Sequence, residues 1–157
     1  MAQLTSKVFQ VLDDRHTRNG ANVFVAAGQT LIEPGIIVAF TSGSTVVVGT
    51  TTIAHGVAFG TRALTYAPTT QVFAAGEPLV VIEGEGEALI SGDFFTGGTL
   101  PSAGSLVYAG TNGLWDATAS SGVKIARCIE QQTVRQPVAT GTSITVARVL
   151  FNFTNTL

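Results

Sequence analysis

Apolar positions along the chain fall in short runs rich in Val, Ile, Phe and Thr, the residues that suit a pleated, half-buried surface. No window of a dozen residues sustains a 3.6-residue period, so a long helix is not expected. The pattern predicts strands at Val23–Ala27, Ile36–Phe40, Thr45–Thr50, Gly56–Phe59, Leu79–Glu83, Glu87–Ile90, Leu106–Ala109, Leu114–Ala117, Val123–Ile129 and Ser143–Phe153. Turn signals separate them, among them Glu33-Pro34-Gly35, Ser42-Gly43-Ser44, Glu83-Gly84-Glu85-Gly86 and Asn112-Gly113. Asn-Gly supplies the positive-φ positions of a tight hairpin between Leu106–Ala109 and Leu114–Ala117. Many short antiparallel strands with glycine-rich turns predict an all-β domain, a barrel or a sandwich.

Two features refine that picture. Gly28-Gln-Thr-Leu-Ile-Glu-Pro-Gly35-Ile-Ile-Val38 aligns without a gap on Gly97-Gly-Thr-Leu-Pro-Ser-Ala-Gly104-Ser-Leu-Val107. With one added residue downstream, His55–Phe59 falls on Ile125–Ile129. The expectation is a repeated β unit, about 28–59 and 97–129, packed into one barrel-like domain over 21–157. The alternative is chance matching between glycine-rich strands. The last strand has a phase fault: Ile144 and Val146 share one face, whereas Val149, Phe151 and Phe153 share the other. A bulge would produce this, and so would a strand leaving its own core for a neighbouring subunit. On the second reading Val149, Phe151 and Phe153, together with Trp115, are the candidate subunit interface.

Composition narrows the classes of function. The 157 residues are 45% hydrophobic and only 11% charged, with 18 glycines and a formal charge of -2. Disorder requires the opposite balance. Two lysines, Lys7 and Lys124, leave no electrostatic footprint for nucleic acid. No apolar run approaches the length of a membrane span, and the start of the chain does not read as a signal peptide, so cytoplasmic synthesis is expected. Residues 1–20 hold Lys7, Asp13, Asp14, Arg15, His16 and Arg18 and read as an arm preceding the barrel, the alternative being an ordinary frayed terminus.

Candidate chemistry is sparse. His16 and His55 are the only imidazoles, and neither lies in a catalytic motif. Cys128, the sole cysteine, alternates with Lys124, Ala126 and Glu130 and reads as a small buried thiol. Metal ligation would need clustered ligands. The nearest cluster, Glu83-Gly-Glu85-Gly-Glu87 with Glu77 and Asp93 beside it, reads first as a solvated acidic hairpin, then as a partner-facing patch or an ion site. Trp115 beside the Asn-Gly turn suits a packing anchor, an interface or a sugar platform. No cofactor is expected.

The segments AAGQTLIEPGIIVAF, AHGVAFGTRAL, GEPLVVIEGEGEALISGD and GTLPSAGSLVYAGTNGLWDATASSGVKIARCIEQ, closed by ITVARVLFNF, resemble the small β-rich capsid decoration (cement) proteins of tailed bacteriophages over residues 22–153. The shared features are structural glycines and alternating apolar positions. The resemblance implies a β-barrel or tulip-like fold, a homo-trimer, and a virion protein on the capsid exterior that clamps the major capsid protein lattice without catalysing a reaction. It also implies capsid contact through the N-terminal segment, whose candidate residues are Lys7, Arg15 and Arg18. A glycan-binding head-fibre or tail component is the second reading, and a small hydrolase the third.

Overall fold

The computed structural model describes residues 8–14, 17–18, 23–29, 32–59, 72–118, 122–135 and 143–153. Among them the regular structure is β-strand, with three short 3-10 turns at Gly92–Phe94, Thr96–Gly98 and Thr111–Gly113. No helix in this part of the chain is long and apolar enough to cross a membrane. The strands are β1 (Phe9–Asp14), β2 (Thr17–Arg18), β3 (Phe24–Val25), β4 (Ile37–Phe40), β5 (Thr45–Val48) and β6 (Gly56–Phe59). They continue with β7 (Val80–Ile82), β8 (Glu85–Ser91), β9 (Leu106–Ala109), β10 (Trp115–Asp116), β11 (Lys124–Arg135) and β12 (Ser143–Asn152). They form two six-stranded sheets, ordered β1-β8-β12-β11-β9-β10 and β2-β7-β6-β4-β5-β3. The molecule is all-β and barrel-like, one sheet curling into a half-barrel.

The main core lies between the sheets and holds Phe9, Ile37, Val57, Ile82, Phe94, Trp115, Cys128 and Phe151 among others. A second core, with Val25, Ile32, Val38, Phe73 and Val81, covers the other face of the second sheet. Neighbouring residues of one strand therefore enter different cores: Ile37 and Val38 on β4, Val57 and Ala58 on β6, Ile82 and Val81 on β7. Burial on both faces explains why IVAF, GVAF and VVI are unbroken apolar runs instead of alternating ones.

One ribbon joins the sheets. β1 pairs with β8 from Phe9↔Ile90 to Asp14↔Gly86, and β2 pairs with β7 at Thr17↔Ile82 and Arg18↔Val81. Glu83-Gly-Glu85-Gly-Glu87 is thus not a hairpin turn. It is the point where a chain already paired on one side passes from one sheet to the other. Gly86 sits opposite Asp14 and Phe151, where an added side chain would collide with the Phe151 ring and the Asp13 carbonyl.

The same ribbon corrects the expectation of an arm. Val8 and Phe9 are buried, and Phe9 packs against Phe59 and Phe94 at ring-centroid separations of 6.4 and 6.0 Å. Over Phe9–Asp14 the segment is a strand of the first sheet, the larger of the two because it contains the long strands β11 and β12. Its charged end, Asp13-Asp14, sits at the sheet edge and conceals the apolar half in the sequence. The Asn-Gly turn is a hairpin, with Asn112 and Gly113 at φ 55° and 70°. Its loop is longer than the two-residue form, closing through Gly110 N–H to the Leu114 carbonyl (2.8 Å) beside Trp115↔Ala109.

The two units share more than sequence. Gly35 N–H donates to the Ala58 carbonyl, and Gly104 N–H to the Cys128 carbonyl, each at 2.8 Å. Ala58 N–H returns to the Ile36 carbonyl, as Cys128 N–H returns to that of Ser105. Ile37↔Val57 and Val38↔Gly56 recur as Leu106↔Arg127 and Val107↔Ala126. The units are joined through Gly113 N–H to the Gly49 carbonyl (3.0 Å) and Val123 N–H to that of Thr51 (2.8 Å).

Candidate functional site

The residues assigned to a subunit interface lie in the interior. Trp115, Val149, Phe151 and Phe153 are all buried. Trp115 meets Phe151 and Phe153 edge-on at 6.5 and 6.0 Å, and its indole N–H donates to the Gly35 carbonyl at 2.8 Å. It joins the second unit to the turn of the first and has no face left to stack on a sugar. The phase fault in β12 involves neither a bulge in that strand nor its departure from the fold, since β12 pairs with β8 without a break from Val146 to Asn152. Ala147, Val149, Phe151 and Phe153 enter the main core, while Val146 joins Val8 and Leu89 in a small cluster on the opposite face, flanked by Ile144 and Val134. The bulge is in β11, where Cys128 pairs with Val149 and Glu130 with Arg148, leaving Ile129 unpaired between them.

Lys7, Arg15 and His16 lie outside the described residues. Arg18 is placed as a strand residue opposite Val81. His55 precedes β6, and its Nδ1 accepts the Phe40 N–H at 3.0 Å while its ring stacks on that of Phe40. An imidazole with Nδ1 committed as an acceptor and its face against a ring is a structural element of the β4 end. Cys128 is buried on the other sheet, with the carbonyls of Pro101 (3.6 Å) and Glu130 (3.5 Å) as alternative acceptors for its single S–H. Burial is the largest influence on that thiol and pushes its pKa up, and the Glu130 charge acts in the same direction.

The acidic residues have separate partners. Glu77 accepts the Ala74 N–H and Asp93 accepts the Ser91 hydroxyl. Glu87 and Glu130 both engage Arg148, the first through its Nε and the second through Nη1 at 3.4 Å. These carboxylates keep the guanidinium protonated to higher pH than usual. Among the described residues no three His, Cys, Asp or Glu side chains gather as a metal site.

The surfaces that remain are of two kinds. One is the outer face of the larger sheet. The register sets one row across it: Asp13 on β1, Glu87 on β8, Leu150 on β12, Arg127 on β11 and Leu106 on β9. Leu150 is 49% exposed at the centre of that row. Beside it a shallow concavity of about 340 Å³ is lined by Asp13, Glu85, Glu87, Leu150 and Asn152. The other kind is the exposed hydroxyl loops of the smaller sheet. Thr45 Oγ1 lies 2.8 Å from both Thr41 Oγ1 and Ser42 Oγ, and Thr50 Oγ1 lies 3.3 Å from Thr52 Oγ1, next to exposed Ile53. No sequence signal marks the row across the larger sheet, because its members come from strands up to 137 positions apart and meet only through register. No protein-family model matches this chain, and no curated protein matches it.

Proposed function

We propose that the protein is a structural component of a bacteriophage virion that attaches to the outside of the capsid and stabilises the major capsid protein lattice. The observation that carries this reading is the set of exposed loops whose Thr and Ser hydroxyls are already bonded to one another, as at Thr41, Ser42 and Thr45. Such loops have short side chains already held in place, so docking costs little rotamer entropy. The two cores and the bonds between the repeated units give them a rigid base. The resemblance to decoration proteins supports the same reading. The mechanism is linkage: a protein that binds only the mature lattice stabilises it by mass action.

The test is to add purified protein to expanded heads that lack it. Saturable co-sedimentation, with heads that then resist heating to a higher temperature, is expected. Heads that gain neither bound protein nor heat resistance would overturn the proposal. An N-terminal truncation used to probe capsid attachment has to stop before Val8. Removing residues 1–20 takes away β1 and the buried Phe9, so loss of binding by that variant would report unfolding.

A further inference from the structure

The outer face of the larger sheet has a charge pattern that matches its own reverse. Carboxylates lie on the β1 and β8 side: Asp13, Glu85 and Glu87. Cations lie on β11, Lys124 and Arg127, a strand that also carries Glu130, tied to Arg148. Among the described residues Asp13, Lys124 and Arg127 enter no ion pair. Leu150, on β12 between the two halves, is exposed, as are Leu12 and Ile129 at the bulges of β1 and β11.

We propose that this face is the contact between two copies of the chain, related by a two-fold axis running along β12. Rotation about that line carries β8 of one copy over β11 of the other. The central row then maps onto itself: Leu150 meets its twin, Glu87 of each copy meets Arg127 of the other, and Asp13 lies over Leu106 at the margin. One step along the strands, Glu85 opposes Lys124. An axis perpendicular to the strands would set acid on acid, so the charges select the orientation. Arg148 also lies on the axis and meets its own twin; Glu87 and Glu130 of each chain offset that like-charge contact.

Five strands at ~4.8 Å and about five residues at ~3.4 Å, from Asn152 to Arg148 and short of the buried Val146 row, make a patch of roughly 24 by 17 Å. The two copies together then bury on the order of 800 Å², below the range of stable specific contacts, so the dimer is weak, transient and salt-sensitive. This contact takes the place of the threefold assembly implied by the resemblance, and it does not depend on capsid attachment.

The experiment is sedimentation equilibrium of the full chain between micromolar and millimolar concentrations, at low and high salt. A monomer–dimer equilibrium that weakens with salt is expected. Leu150→Asp, a change at an exposed site, abolishes it. Glu85→Lys and Lys124→Glu each weaken it on the order of tenfold. The double variant recovers most of the loss, because the swapped charges face each other again. Circular dichroism spectra matching the parent confirm that each variant is folded. A monomer throughout, a trimer, or a dimer unmoved by Leu150→Asp would each overturn the proposal, as would failure of the double charge swap to restore association in folded protein.

Discussion

Trp115 was legible in the sequence as a residue with a role, but not as which role. A tryptophan beside a turn suits a packing anchor, an interface or a sugar platform, and the deciding partner, the Gly35 carbonyl, is 80 positions away. Its burial with Phe151 and Phe153 predicts that Trp115→Ala costs about 3–5 kcal/mol in chemical denaturation. Trp115→Phe keeps much of the apolar volume but leaves the Gly35 carbonyl without its donor, at a cost of about 1–3 kcal/mol beyond the lost packing. Equal stability of Trp115→Phe and the parent would show that the indole N–H bond contributes nothing. Cys128 was legible as a buried thiol even on the charged strand β11, since that is the commonest role of a lone cysteine. With its pKa raised by burial, a smaller fraction is thiolate at a given pH than in an exposed cysteine. A disulfide-exchange reagent at pH 8 should therefore leave the native thiol almost untouched and label it rapidly in denaturant. Rapid labelling of the folded protein would contradict the packing around Pro101 and Glu130.

Strand positions in the middle of the chain were readable because β4, β6 and β7 are apolar on both faces and bounded by turn residues. β1 was not, because a six-residue strand ending in Asp13-Asp14 at a sheet edge looks like solvated chain. The Glu-Gly-Glu-Gly-Glu passage misled for a related reason. Glycine there admits the Phe151 ring and the crossing backbone rather than reversing the chain. β12 is the instructive strand. Its change of apolar face reflects two clusters on opposite sides of one continuous sheet, which a single sequence cannot distinguish from a bulge. The two sides should differ in consequence. Phe151→Ala, in the main core, is expected to cost about 3–5 kcal/mol, whereas Val146→Ala, in the small outer cluster, loses only two methyl groups and roughly 1–2 kcal/mol. Denaturant midpoints of the two variants check this, and a larger loss at Val146 would move the centre of stability to the outer face.

The repeated units account for how β4, β5 and β6 and, in turn, β9, β10 and the start of β11 organise from glycine-rich sequence, yet equivalent positions in them are not energetically equivalent. In the first unit the Phe40 N–H is met by the His55 ring, whereas in the second the corresponding Ala109 N–H is met by the Val123 carbonyl. The same divergence governs the paired glycines. Gly35 and Gly104 have φ of 99° and 82°, a region that L-residues enter only at a cost, and each bonds back to its unit's closing strand in the same way. Their surroundings are unlike. An added methyl at Gly35 would lie 2.6 Å from the Phe94 ring and 3.0 Å from Phe9, while one at Gly104 meets nothing within 4 Å. Gly104→Ala should therefore cost only the backbone term, about 1 kcal/mol. Gly35→Ala adds displacement of two core aromatics and strain on the carbonyl that holds Trp115, for a total of about 3 kcal/mol or more. Urea unfolding of the two alanine variants separates these cases. Equal losses would mean that the first unit's turn yields as freely as the second's, and that the packing of Phe9, Phe94 and Trp115 around it is not what fixes the two units together.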